Sequence, residues 1–455
     1  MKSLLKRLFP VLMLPGLAAI PFSATPPVSS KADRPNLLFI LTDDLGIGDL
    51  SGYGATDCRT PHLDSLMRAG LRFSNAYANS TVCSPTRASL LTGRYPDLVG
   101  VPGVIRDNPA DSWGYLDPRA RTLPQTLKKA GYHTALIGKW HLGLEAPNRP
   151  NDRGFDHFHG FLNDMMDDYK THLRNGKPWM RLNQKPDDRP LHATDLFTDW
   201  TLDYLRTRKG QKAPFFLYLA YNAPHSIVQP PAEWLEKVKR RQPGITEKRA
   251  KLVALIEHLD DRIGRVMQAL RANGQADRTL VVFTSDNGGA LNEGSLNGPW
   301  RGGKQDMFEG GIRVPAFAGW AGQIRPGSQT ALRTMTMDWF ATLVEAAGLP
   351  VPADIDGVSL LPTLRGQNQT LDRTLIWVRR ESSPYDGQDY YALRKGDWKL
   401  MQNTPFEPYA LYHLADDPHE DRNVRAANGP VIRELIPLLR EHVRKAGAVP
   451  WQKPQ

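Results

Sequence analysis

Two acidic tetrapeptides carry the chemistry that is easiest to read. Asp43-Asp44-Leu45-Gly46 and Ser285-Asp286-Asn287-Gly288 lie far apart in the chain, and each follows a short apolar run. Together they offer four oxygen donors: Asp43, Asp44, Asp286 and Asn287. Carboxylate and carboxamide oxygens suit a hard cation such as Ca2+ or Mg2+, and the His-rich sets that zinc favours are missing from these two places. Asp, Asn and Gly are also the ordinary residues of turns, so either tetrapeptide alone reads as a turn. The pair, at the ends of two buried strands, reads as a metal site. Two further apolar runs also end in polar groups. His133 to Ile137 leads into Gly138-Lys139-Trp140-His141, and Pro214 to Ala220 leads into Asn222-Ala223-Pro224-His225.

The elements behind these residues follow from periodicity. Asn36 to Thr42 and Thr279 to Thr284 are unbroken apolar runs, as expected of central parallel strands covered on both faces. Helical spacing appears over Pro61 to Gly70, Thr122 to Gly131 and Thr246 to Asn273, the last with Leu252, Leu255, Ile256, Leu259, Ile263, Val266 and Leu270 in register. Strands alternating with helices predict an α/β fold with a mostly parallel central sheet flanked by helices. In such folds ligands gather at the carboxyl ends of the strands, which is where the polar clusters fall. Beyond residue 370 the texture changes. Leu375 to Arg379, Tyr390 to Arg394, Trp398 to Met401 and Ala410 to His413 predict short strands, and Val431 to Lys445 a closing helix. The expected organisation is a catalytic domain over 34–369 and a smaller C-terminal antiparallel-sheet subdomain over 370–455.

The 455 residues are 40% hydrophobic, 23% charged and 9% aromatic, which excludes collagen, coiled coil and bulk disorder. Two cysteines exclude a disulfide scaffold and a four-cysteine zinc module. Lys2, Lys6 and Arg7 precede an apolar run from Leu8 to Phe22 broken by Pro10 and Pro15. That reads as an export signal over residues 1–24, with cleavage somewhere in 20–32, and the interrupted run argues against a membrane anchor. The expected location is periplasmic or secreted, with no stable membrane insertion. The net charge of +10 drops to +7 without the first 24 residues. The basic residues are scattered, and the densest run, Lys237 to Arg241, reads as a solvated helix face. No nucleic-acid signature accompanies it, so an anionic ligand outside the cytoplasm fits the charge better.

The segment Cys83-Ser84-Pro85-Thr86-Arg87-Ala88-Ser89-Leu90-Leu91-Thr92-Gly93 resembles, over all eleven residues, the maturation signature of type I formylglycine-dependent sulfatases, which belong to the alkaline phosphatase superfamily. Asp43-Asp44, Gly138 to Gly143, Ala223-Pro224-His225, Ser285 to Gly288 and Gly302-Gly303-Lys304 follow in that family's order. The resemblance spans about residues 34 to 315, and the C-terminal part is similar as well. It implies that a maturation enzyme oxidises Cys83 to formylglycine, whose hydrate is the nucleophile. It implies Ca2+ on Asp43, Asp44, Asp286 and Asn287, with residue 83 as a further ligand. Arg87 and Lys139 would stabilise the developing oxyanion. His141 would orient the hydrate and take the proton that regenerates the aldehyde. His225 and Lys304 would contact the sulfate, with His225 the acid for the leaving alcohol. A sulfate monoester is anionic, so a ring of cations is what it requires.

The implied substrate is a sulfated polysaccharide or oligosaccharide, with aryl sulfates also turned over. Arg106, Trp113, His159 and Asp164 are expected at the mouth, where stacking and carboxylate–hydroxyl bonds hold sugars; Trp113 is equally readable as core. Asp167 and Asp168 are expected in the same loop. Two other functions fit the motifs: a phosphonate or phosphodiester hydrolase on the same scaffold, and a non-catalytic binder of sulfated glycans. One purely structural reading competes for Cys83, a disulfide to Cys58 in an exported protein.

Overall fold

The computed structural model describes residues 34–187, 189–381 and 388–453; the leader expected over residues 1–24 lies outside them. A ten-stranded sheet forms the centre. Its strands in chain order are β1 (Asn36–Thr42), β2 (Leu71–Phe73), β3 (His133–Lys139), β4 (His157–Phe161), β5 (Met180–Leu182), β6 (Lys185–Pro186), β7 (Phe215–Ala220), β8 (Thr279–Ser285), β9 (Ala316–Gly319) and β10 (Ser328–Thr330). In space the order is β10-β2-β9-β8-β1-β7-β3-β4-β5-β6. The five middle strands, β8, β1, β7, β3 and β4, run parallel to one another. Antiparallel pairs extend the sheet on both sides, β9 on β8 and β5 on β4. The α/β architecture with a mostly parallel sheet is therefore as the apolar runs predict, and the antiparallel margins add to it.

The continuous hydrophobicity of β1 has a direct cause. Leu37, Phe39 and Leu41 face one core, with α2 (Cys83–Thr92), α3 (Leu123–Lys129) and α7 (Asp338–Ala346) packed over it. Leu38 and Ile40 face the other, under α1 (Pro61–Arg68), α4 (Ala193–Thr207) and α6 (Glu247–Ala272). Both faces are covered, so no position in β1 is left for a polar residue. The helix α6 starts where the sequence predicts, with the Thr246 hydroxyl accepting from Arg249 N–H. On α5 (Ala232–Arg241) Lys237 and Arg240 face solvent, but Arg241 turns inward to Glu257 at 2.5 Å, so the basic run is not wholly a solvated face.

A second, antiparallel sheet follows: β11 (Leu375–Glu381), β12 (Gln388–Lys395), β13 (Trp398–Gln402) and β14 (Ala410–His413). The closing helix α8 (Gly429–Ala446) packs on it through Leu435 and Leu439. Its core also takes in Tyr77, Met307, Ile312 and Met335, which precede the second sheet in sequence. At that seam Lys399 is fully buried between Glu309 (3.0 Å) and Glu420 (2.8 Å). Among the described residues no helix is long and apolar enough to cross a membrane. Cys58 and Cys83 are both free thiols, which removes the disulfide reading.

Candidate active site

Each of the five parallel strands delivers a polar group at its carboxyl end. Beyond β1 lie Asp43 and Asp44, beyond β8 Asp286 and Asn287, beyond β3 His141, beyond β7 His225, and beyond β4 Asp164. The chain must turn sharply to aim them. Asp44 and His141 hold left-handed backbone angles, φ 64° and 59°, which cost non-glycine residues free energy and concentrate at functional sites. Gly138 precedes His141 on β3 with φ 108°, and a Cβ there would lie 1.9 Å from the Ala220 carbonyl oxygen, so only glycine fits.

Cys83 opens α2, a helix whose ten residues are all buried. The positive end of the helix dipole therefore points at residue 83, a favourable place for negative charge. The thiol Sγ lies 3.2 Å from Asp43 Oδ1. Burial and the Asp43 carboxylate push the thiol pKa well above its usual value, so an unmodified Cys83 is not a thiolate nucleophile near neutral pH.

Behind it the carboxylates and cations interlock. Arg87 donates through Nε and Nη2 to Asp286 Oδ2 at 3.1 and 2.7 Å, and its Nη2 lies 3.5 Å from Asp43. Lys139 Nζ lies 2.5 Å from Asp43 Oδ2, and Lys304 Nζ 2.8 Å from Asp44 Oδ2. Asn287 donates to Asp44 Oδ1 at 2.7 Å. Burial would raise Asp43, but Lys139, His225 and Arg87 hold it well below the usual carboxylate range. Burial and the neighbouring Asp43 instead push Asp286 up to about 7. Three carboxylates this close could hold a cation, although each also faces a lysine or an arginine. The donor set fits one: Asn287 Oδ1 is buried with no hydrogen-bond partner, and one ligand atom each from Asp43, Asp44, Cys83 and His225 lie within 4.8 Å of one another. His225 is the exception in that group, because both its nitrogens are engaged: Nδ1 by Ser226 O (2.7 Å) and Nε2 by Lys304 Nζ (2.9 Å).

Those two contacts fix a tautomer. Nδ1–H donates to the carbonyl, and Nε2 accepts from the ammonium. Burial and Lys304 depress the His225 pKa. His141 is set the other way round: its Nε2–H donates to Ile105 O at 2.9 Å, leaving Nδ1 buried and without a partner. Burial, Lys139 and Arg87 push its pKa well down, so Nδ1 is a free base at neutral pH.

Cys83, His141, His225 and Lys304 line a cavity of about 400 Å3. Arg106 and Asp164 also reach it, as the sequence predicts for the mouth. His159 does not. It is buried, stacked on Trp200 at 3.4 Å and hydrogen-bonded to Asp187 at 2.8 Å, so its assignment to the sugar is withdrawn. Trp113 stacks on Trp451, away from this cavity, and Asp168 accepts turn N–H groups from Lys170 and Thr171. Arg87 and Lys139 lie beneath the floor, their charges directed at Asp286 and Asp43. Two wall residues had no sequence signal. Arg174 grips Asp164 with two bonds of 2.9 and 3.1 Å, and Glu381, at the end of β11, meets Arg106 at 3.1 Å. Neither belongs to a motif, and only folding brings the second sheet to the cavity.

A second cluster, His192, Asp195 and His258, also gathers metal-ligating types. His192 is used at both nitrogens, by Gln229 O and Thr194 N–H, and Asp195 bonds His258 and Arg262. It is a helix cap with an ion pair.

The chain is similar to known proteins over most of its length. A family model described as Sulfatase matches residues 35–349, and one described as N-sulphoglucosamine sulphohydrolase, C-terminal, matches residues 302–447. N-acetylgalactosamine-6-sulfatase of Homo sapiens is 36% identical over 78% of this chain and 70% of its own length. N-acetylgalactosamine-6-O-sulfatase of Bacteroides thetaiotaomicron is 29% identical over 90% of this chain and 93% of its own. The crystal structure of Ps i-CgsB in complex with k-i-k-neocarrahexaose superposes with a TM-score of 0.83 at 28% identity, covering 92% of this chain and 95% of that one.

Proposed function

The chain belongs to the sulfatase family and is a sulfuric ester hydrolase, and from that premise we propose that it removes sulfate from sulfated carbohydrates with residue 83 as formylglycine and Ca2+ as the metal. The observation that carries this reading is the placement of Cys83: first residue of a buried helix, on the floor of a cavity between His141, His225 and Lys304, with Asp43 against its side chain. Relatives named for N-acetylgalactosamine 6-sulfate put that sugar first among substrates to try.

Asp43, Asp44, Asp286 and Asn287 would hold Ca2+, which when bound supplies positive charge for the sulfate oxygens and for the hydroxyl of residue 83. Formylglycine supplies a hydrate with two hydroxyls, one to attack sulfur and one whose deprotonation expels sulfate; an unmodified cysteine lacks the second. The remaining work falls to this chain's own groups. Arg87 holds Asp286 and Lys139 holds Asp43, fixing the carboxylates behind residue 83 and placing positive charge next to it. Lys304 contacts the sulfate, and His225, protonated at Nε2 when the substrate's anion lies beside it, gives that proton to the leaving oxygen. His141, anchored on Ile105 O, takes a proton at Nδ1.

We place the division between catalytic domain and C-terminal subdomain near residue 370, and the mature protein outside the cytoplasm on the strength of the basic start and apolar run over residues 1–24. Maturation then needs an enzyme that oxidises Cys83. Mass spectrometry of the peptide containing residue 83 tests the mechanism: active enzyme is expected to carry the aldehyde or its hydrate, and Cys83→Ala to release no sulfate. Full activity with thiol alone at residue 83 overturns it. Matched sulfate and phosphate diesters separate this function from a phosphodiesterase on the same scaffold.

A further inference from the structure

We propose that a second cavity beside the active site, walled by the C-terminal tail, is a subsite for an uncharged sugar residue adjoining the sulfated one. This rests on the carbohydrate reading above. The cavity measures about 350 Å3, within the range of small-molecule sites. Arg106 lines both it and the catalytic cavity, with Val104 on the catalytic side and Ile105 on the other. Ile105 O carries His141, and the residues after His141, Leu142 to Glu145, run into the second cavity's wall. The two spaces therefore flank a single backbone segment, as neighbouring units of one oligosaccharide require. Arg106 stands between them, its Nη1 on Asp111 O (2.9 Å) and its Nη2 on Glu381 (3.1 Å).

The opposite wall is the tail itself. Trp451 stacks on Trp113 with centroids 4.6 Å apart and planes 12° off parallel, and Lys453 Nζ meets Glu145 Oε1 at 2.5 Å. The lining chemistry selects the occupant. Tyr115, and Trp451 beside its contacts with Trp113 and the Arg380 guanidinium (5.5 Å from the ring centroid), offer aromatic surface for the C–H face of a sugar ring. Asn148 is 2% exposed; its Nδ2 donates to Leu116 O at 2.8 Å, while its Oδ1 is buried without a partner. A sugar hydroxyl entering the cavity can donate to it. The charges exclude a second anion. Arg106 is matched by Glu381 and Lys453 by Glu145, and Asp107 adds a carboxylate bonded to the Asn175 amide. No surplus of cations is left for a sulfate or a uronate here, in contrast to the neighbouring cavity with Lys304.

Steady-state kinetics on the mature enzyme test the assignment. The substrates are a sulfated monosaccharide, a disaccharide ending in the same sulfated residue with a neutral neighbour, and the same disaccharide with a sulfated neighbour. Wild type is expected to favour the neutral neighbour over the sulfated one. Trp451→Ala is expected to raise KM for the neutral disaccharide by about tenfold with kcat unchanged, and to leave the monosaccharide within about twofold. Trp451→Phe should restore most of the disaccharide KM. If Trp451→Ala fails to fold, Trp451→Leu serves in the same comparison, since it keeps an apolar contact to Trp113. Equal changes on mono- and disaccharide, or an unchanged disaccharide KM, overturn the subsite while leaving the carbohydrate reading intact. Failure of wild type on every sulfated sugar, with aryl sulfate still hydrolysed, overturns the carbohydrate reading instead.

Discussion

In the proposed mechanism, tautomers divide the labour between His141 and His225. His225 accepts at Nε2 from Lys304, and His141 presents a bare Nδ1. If His225 delivers the leaving group's proton, its loss hurts poor leaving groups most. His225→Ala is expected to lower sugar desulfation at least tenfold more than aryl sulfate hydrolysis, read as the ratio of kcat/KM values. His141→Ala is expected to slow sulfate release with either substrate, giving a burst of about one equivalent of alcohol followed by a slow phase. Equal losses on both substrates and no burst would reverse the assignment. The depressed His141 pKa sets the pH behaviour. The base must be neutral, burial and its cationic neighbours keep it neutral below the ordinary histidine value, and so activity persists on lowering pH through 6.5. The acid limb of kcat/KM is expected below pH 6.5, and a limb above 7 would show another group in control.

Loops and strand ends hold these residues, and one buried seam holds the loops. Glu309 follows the loop bearing Lys304 and is tied to the second sheet by Lys399, with Glu420 on the far side. Tyr77 OH donates to Glu309 Oε2 at 2.7 Å. Burial would raise the Glu309 carboxyl, but Lys399 and two arginines hold it down at about 2. Removing the lysine leaves two buried carboxylates facing each other. Lys399→Met is expected to destabilise the protein by about 3–5 kcal/mol, seen as a lower denaturant midpoint. Adding Glu309→Gln and Glu420→Gln should recover part of the loss, because the stranded charges go with them. A neutral result for the single variant would show that the seam does not hold the two sheets together.

For the molecule as a whole, a cation on the proposed carboxylate site would couple metal binding to stability. Asp43, Asp44 and Asp286 are buried together, so a cation that binds only the folded state stabilises it by mass action, about 2.7 kcal/mol at a hundredfold excess over Kd. Chelation is expected to lower Tm and abolish turnover together, and Ca2+ to restore both. Restoration by Zn2+ alone would contradict an oxygen-donor site.

Much of this was legible in the chain before any coordinates. The unbroken apolar runs of β1, β7 and β8 reveal parallel strands covered on both sides, because a strand with no solvent face has no polar alternation to show. The Cys83 to Gly93 signature and the two acidic tetrapeptides are local, so their chemistry can be read from consecutive residues. What needed the tertiary structure was everything that depends on distance between segments. His159 has the composition of a sugar ligand but spends its ring on Trp200 and its nitrogen on Asp187. Glu381 and Arg174 carry no motif and reach the cavity only through the packing of the second sheet and the pairing with Asp164. The tail at Trp451 lies hundreds of residues from Asn148, and only the fold brings it there to close a second cavity. Sequence determines which atoms can donate, accept and ionise; which of them remain free to meet a substrate is decided by what else the fold places within hydrogen-bonding reach.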